Sequence, residues 1–334
     1  MLVEKEIYAG HYINYPFPLF YERKDRHLFY DENFSFQIPP VYLHHLTDVV
    51  FNSDTIMNGW SVMDPFLRHS YVNSFNQLKR SLRLRLQKVQ KRENVILGFQ
   101  VWGNNYFHWM TETVPAIIAM RQQNSNALVM LPKFMLDVSF VKEVLNMMAW
   151  QYDTFGHNES IKASSFYAIP IPHVGRFNHN LLHQAAEQLR NKAGLDNSIV
   201  PFKKIYITRG KARRRKIINE DAMVALLTKQ GFEIHTLEDY SLHQQFQLFN
   251  ESNFVLSNHG AGLTNIMFMH PNCKVLELKS ENNNYWCYFS LANVFGLKYA
   301  YMLCKGNSLN HRDADIIVDL KELSSLIEKI DLIN

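Results

Sequence analysis

Cysteine is scarce in this chain. Cys273, Cys287 and Cys304 are the only three in 334 residues, an odd number with no CxxC pair, which argues against both a disulfide framework and a zinc ribbon and fits a reducing compartment. Excess charge of one sign is scarce as well. Thirty-five Lys and Arg against 31 Asp and Glu leave +4, too little for the global basic field that would hold nucleic acid or a membrane, so any anion site must be local. No apolar run reaches the roughly 18 residues of a membrane span. Residues 1–10 are charged and mixed rather than a basic segment followed by an apolar one, so no secretory signal is visible and the expected location is the cytoplasm. A Walker A pattern, a G-x-S-x-G elbow and a fixed-period repeat are all missing. What is plentiful is core material: 47% hydrophobic and 13% aromatic residues against 20% charged, a balance that predicts a folded globular protein of about two domains.

The clearest boundary is the stretch around Gly194 to Pro201. It divides an N-terminal domain over 1–195, with an irregular β-rich start, from a C-terminal domain over 200–318. Residues 319–334 are left as a helix that is a candidate to cross back to the first domain. In the N-terminal half, Gln77 to Lys91 is strongly basic and its leucines favour a helix by composition. That stretch is either a solvated face or a contact for an anionic membrane surface. Val95 to Phe99 reads as a buried strand, followed by a helix over about 107–122 that Pro115 should kink. Ala127 to Leu131 resumes strand character. The C-terminal half is more regular: Lys204 to Thr208, Glu233 to Thr236, Phe254 to Ser257, Lys274 to Leu278 and Tyr299 to Leu303 read as strands separated by helices. Asn219 and Ser241 are predicted N-caps and Gly231 a C′ glycine. This alternation implies a parallel sheet with right-handed crossovers, hence an α/β, Rossmann-like domain.

Three constellations carry chemistry. In Phe254 to Asn265, an apolar strand ends in Ser257 and Asn258 and passes through His259-Gly260-Ala261-Gly262 into a helix. Unpaired N–H groups and the helix dipole there suit a phosphate, and His259 can donate to a leaving-group oxygen. A tight turn that needs glycine only for packing is the plain alternative. Glu277, near the carboxyl end of the next strand, is either an ordinary strand-end charge or a ribose ligand. In Arg209 to Lys216 a basic run follows a strand of the same sheet, and Arg209 and Arg215 are chosen for direct diphosphate contact while Arg213 and Arg214 are read as solvated. In Asn105 to Pro115, His108 and Glu112 stand four apart on one helical face, either a structural pair or a proton acceptor for a substrate hydroxyl. Asp313-Ala314-Asp315 has the form of a metal-binding DxD but is read as turn chemistry, and Tyr285 to Phe289 as core rather than a stacking platform.

His108-Trp109 with Glu112 and Pro115, the basic segment from Arg209 to Asn219-Glu220, and the His259 to Asn265 loop followed by Glu277 together resemble glycosyltransferase family 61. The resemblance spans roughly residues 95 to 300. It implies a GT-B-like architecture of two Rossmann-like domains facing across a cleft, and inverting transfer that needs no metal and no cofactor. The implied donor is a nucleotide-sugar held by Arg209, Arg215, His259, Gly260, Ala261, Gly262, Asn265 and Glu277; the implied acceptor is a saccharide or lipid-linked molecule deprotonated by Glu112 with His108. The setting it implies is bacterial surface-polysaccharide assembly (capsule or lipopolysaccharide), with peripheral contact at the inner face of the membrane and no nucleic acid partner. A non-catalytic protein that binds nucleotide, polysaccharide or nucleic acid is the competing reading.

Overall fold

The computed structural model describes residues 2–27, 34–63, 66, 74–170, 174–308 and 314–333, with backbone alone for 74–78. The chain forms two compact units, Met1–His11 with Gln37–Lys192, and Tyr12–Phe36 with Ala193–Asn334.

The strands up to residue 168 are β1 (Leu2–Tyr8), β2 (His11–Asn14), β3 (Ser35–Ile38), β4 (Val41–Phe51), β5 (Ile56–Asn58), β6 (Ser61–Val62), β7 (Lys88–Leu97), β8 (Leu128–Pro132), β9 (Tyr152–Phe155) and β10 (Glu159–Ala168). Helices α1 (Ser74–Leu86), α2 (Tyr106–His108), α3 (Val114–Gln123), α4 (Ser139–Met147) and α5 (His179–Ala193) lie among and after them. The first unit's sheet runs β6-β5-β4-β10-β7-β8-β9, with β1 antiparallel on β4. Its run β10-β7-β8-β9 is paired in parallel, whereas β4, β5 and β6 join antiparallel. The expected Rossmann-like first half is therefore a mixed sheet, because the first 60 residues add strands through short turns rather than helical crossovers.

The basic stretch also divides differently from expectation. α1 ends at Leu86 and Lys88 already starts β7. That strand is solvated over its charged first half and buried over Val95, Ile96 and Leu97, so only its buried end reads as apolar. Pro115 does not kink a helix interior. A π turn over Trp109–Thr113 precedes it, with the Val114 N–H donating to the Trp109 carbonyl, and α3 starts with the proline in its first turn. A proline lacks the N–H for the carbonyl four residues back and its ring crowds that carbonyl; widening the preceding turn by one residue removes both conflicts.

The second unit holds β11 (Lys203–Ile207), β12 (Phe232–His235), β13 (Ser252–Asn258), β14 (Lys274–Ser280), β15 (Lys298–Gly306) and β16 (Ile316–Ile317), with α6 (Glu220–Lys229), α7 (Leu242–Asn250), α8 (Cys287–Val294) and α9 (Leu320–Asp331). The order is β12-β11-β13-β14-β15-β16, parallel up to β15 and antiparallel at β16. Ser241 makes the expected capping box with Gln244, and Gly231 has φ +83°, the left-handed conformation a C′ residue needs. Asn219 makes no side-chain cap. Its amide instead donates to the Val318 carbonyl at 2.8 Å and accepts from the Val318 N–H at 3.0 Å, tying α6 to the chain that enters α9. α9 buries Leu323, Ile327 and Ile330 in the same core as Met223 and Leu227 of α6, so the final helix completes the second unit rather than leaving it. Residues 12–36, read from sequence as part of the N-terminal half, also pack here: the Leu19 N–H donates to the Tyr299 carbonyl at 2.7 Å and the Tyr301 hydroxyl to Asp25 at 2.6 Å.

Candidate functional site

In the second unit β11 and β13 are adjacent parallel strands at the centre of the order, and the chain proceeds from them toward opposite edges of the sheet. This is the topological switch point of a doubly wound sheet, where loops diverge and a ligand finds room. The loop after β11 carries Arg209 to Lys216; the loop after β13 carries His259 to Gly262. A Cβ on Gly260 would stand 2.1 Å from Nη1 of Arg209, so the guanidinium occupies the space a side chain would take. Gly260 is extended at φ −177°, and its requirement is space rather than conformation. Gly262 leaves room for Leu237, whose Cδ1 would lie 2.9 Å from an added Cβ. Ala261 opens a helix that is 3₁₀ over Ala261–Phe268, with no side-chain cap.

Arg215 adopts φ +58°, and its carbonyl accepts from the Asn258 side-chain amide at 2.5 Å. Arg209 Nη2 donates to the Arg214 carbonyl at 3.3 Å. Among the described residues, no ion pair is formed by Arg209 or Arg215, and the Nε of each is buried without a hydrogen-bond partner. Burial, and next to it the charge of Arg215, pulls the Arg209 guanidinium below its ordinary pKa. The two cations repel each other, a repulsion that an anion between them would relieve. The nearby acid Glu220 is already occupied, accepting at 2.5 Å from both the Tyr206 and Thr208 hydroxyls. Arg213 and Arg214 are exposed. Asp315 accepts the Lys216 N–H at 2.7 Å, a long-range contact that ties the basic loop to the chain entering β16; Asp313 lies outside the described residues.

His259 Nδ1 lies 2.5 Å from Glu277 Oε1, and the Tyr299 hydroxyl donates to Oε2. Glu277 is fully buried. Burial by itself would raise its carboxyl, yet His259 and then Lys279 hold it below the usual range. Burial also lowers the His259 imidazole despite the carboxylate beside it. The consistent state is a neutral imidazole donating Nδ1–H to an ionised Glu277, with Nε2 left as an acceptor that must take up a proton before it can donate. Glu277, considered for a ribose, thus has both oxygens engaged on His259 and Tyr299 and orients the histidine. Asn265 is fully buried and its amide donates to Gln245 of α7 at 2.9 Å, which ties the 3₁₀ helix to α7. Lys279 escaped sequence reading. It is fully buried and donates to the Tyr285 carbonyl at 2.5 Å, while the Tyr285 ring stacks on His259 with centroids 5.9 Å apart. The available signal was two charges, Glu277 and Lys279, on one face of an otherwise apolar strand, where burial demands that both find partners.

In the first unit Asn105 caps α2, accepting the Phe107 N–H at 3.0 Å. The π turn that follows carries His108 and Glu112 to a 3.0 Å contact between Nδ1 and Oε1, with the carboxylate side chain only 2% exposed. Gln100, also missed in the sequence, donates its side-chain amide to Glu112 Oε2. Gln100 and Glu112 line a cavity of about 570 Å³ together with Thr111, Thr113 and Arg176. A carboxylate bonded by an amide, with an imidazole 3.0 Å away and a cavity beside it, can accept a proton from a bound hydroxyl. The described residues contain no cluster of three or more His, Cys, Asp or Glu placed to hold a metal ion.

A stretch of 91 residues is 33% identical to the mouse (Mus musculus) EGF domain-specific O-linked N-acetylglucosamine transferase, covering 25% of this chain and 17% of that protein. The match thus reaches only a minor part of the relative's length. The Glycosyltransferase 61 family model matches residues 106–276, just over half of the chain, from the start of α2 into β14. The chain belongs to glycosyltransferase family 61.

Proposed function

We propose that the protein is an inverting glycosyltransferase of GT-B organisation, in which the second unit holds a nucleotide-sugar and the first activates the acceptor, a saccharide or a lipid-linked molecule. Glu112 takes the proton of the acceptor hydroxyl, and His108 and Gln100 orient it. The acceptor oxygen forms a bond to the anomeric carbon as the bond from that carbon to the diphosphate oxygen breaks. The electron pair leaves on the nucleoside diphosphate, and its charge is met by Arg209 and Arg215. The proton remains on Glu112 until solvent removes it. Because neutral His259 gains a favourable partner when it protonates beside a phosphate, donor binding is accompanied by proton uptake there.

The observation that carries this reading is the pair of half-buried guanidinium groups at the switch point, without an ion-pair partner among the described residues. With the leaving diphosphate neutralised by arginines, no metal is required, and a chelator should leave turnover unchanged. The setting we propose is surface-polysaccharide assembly at the cytoplasmic face of a bacterial membrane. The test is product mass analysis with a panel of nucleotide-sugars, for the wild type and Glu112→Gln. Transfer should fall by about 10² to 10⁴ in the variant while nucleoside diphosphate affinity is retained; unchanged turnover removes Glu112 from the role of base.

A further inference from the structure

The cavity beside Glu112 has mainly apolar walls. Phe66, Leu97, Phe99, Pro115, Met120 and Leu182 are among them, while Gln37, Tyr42, Gln100, Thr111, Glu112, Thr113, Arg176 and Asn178 supply the polar groups. A saccharide site needs a hydrogen-bond partner for most hydroxyls it removes from water, since each unpaired one carries a desolvation penalty. Fifteen of the 23 lining side chains offer no such partner. At about 570 Å³ the space lies within the range of pockets that enclose a whole small molecule rather than one side chain.

We propose that this cavity takes the hydrocarbon chain of a lipid-linked acceptor, with the reacting hydroxyl beside Glu112. This rests on the transferase reading for the placement of the hydroxyl, but not for the binding of the chain. A second surface of the same unit favours a lipid over an apolar polypeptide. Trp60, Leu82 and Leu86 are 84%, 53% and 86% exposed. The Arg85 guanidinium lies 3.6 Å from the Trp60 ring centroid, and Arg83 and Lys88 are exposed in the same stretch of chain. Exposed Trp and Leu set among Arg and Lys have the chemistry of an interfacial membrane contact, with apolar groups for the acyl boundary and cations for anionic headgroups.

The test is calorimetric titration of the full chain with octyl, decyl and dodecyl glucosides below their micelle concentrations. Each buried methylene is worth about 0.8 kcal/mol, so affinity should rise about 15-fold for every two carbons until the cavity is filled. Ala116→Phe, which fills the space from α3, should abolish that dependence, and Leu181→Trp from α5 provides an independent second block. Thermal melts establish that each variant is folded, and both should bind nucleoside diphosphate as the wild type does. Affinity independent of chain length, or wild-type chain-length dependence in both folded variants, would overturn the proposal. So would binding of a threonine peptide with leucine neighbours when the glucosides do not bind, which assigns the cavity to a polypeptide acceptor. If chain-length dependence holds while no nucleotide-sugar is turned over, the lipid site stands and the transferase reading fails.

Discussion

In the second unit the carboxylates near the switch point are engaged by neighbours, Glu220 by Tyr206 and Thr208 and Glu277 by His259 and Tyr299, and what is left over is positive, Arg209 and Arg215. In the first unit the cavity wall carries an acid, Glu112, bonded by Gln100 and 3.0 Å from His108, with Arg176 also in the lining. The guanidinium pair and the carboxylate therefore call for opposite complements. Clustered guanidinium groups are stable only with an anion to meet, and a buried carboxylate facing a cavity is placed to receive a proton. On the proposed reading, donor handling and acceptor activation fall to separate sheets with separate chemistry, and each half can be broken by itself.

The largest such break is Glu277→Ala. It removes the carboxylate partner of a buried imidazole and of Tyr299, and should cost about 3 to 5 kcal/mol of stability, read as a fall in denaturant midpoint; Glu277→Gln, which keeps the shape, should cost less. An undiminished midpoint for the alanine variant would show that the pair is not structural. Gly260→Ala sharpens the comparison at the level of binding. The new methyl must displace the end of Arg209, which is flexible, so folding should survive while nucleoside diphosphate affinity falls about tenfold, the worth of one charge-assisted bond. A pH-dependent effect belongs to the first unit. Burial, followed by the charges of His11 and His183, depresses His179 to about 4. Between pH 6.5 and 4 the unfolded chain therefore binds a proton there that the folded chain does not, so stability falls as pH drops through that window. His179→Gln should flatten this part of the profile of melting temperature against pH; an identical slope would assign the loss to other groups.

The strands of the second unit were legible because buried parallel strands read as unbroken apolar runs, as in Val255-Leu256 and Val275-Leu276, closed by turn residues. β4 in the first unit was hidden: the adjacent pairs His44-His45 and Thr47-Asp48 break both an apolar run and a strict alternation. β7 was half hidden, because its basic half resembles a helix face until the register with β10 is known. The four-residue spacing of His108 and Glu112 was readable, but the π turn beneath it was not, since its carbonyl geometry depends on how the segment packs. Carboxylate chemistry could be located at Glu277, but not its partner Tyr299, which arrives from a neighbouring strand 22 residues later. Gln100 left no trace, as an isolated amide after a strand has no pattern to distinguish it.

The central claim is that Arg209 and Arg215 hold the diphosphate of the donor. It is tested most directly by titrating nucleoside diphosphates into the wild type and into Arg209→Ala. The account expects one of them to bind the wild type and to bind the variant at least about 30-fold more weakly, ~2 kcal/mol, with Glu112→Gln indistinguishable from wild type in the same titration. Equal affinity in wild type and Arg209→Ala would contradict it.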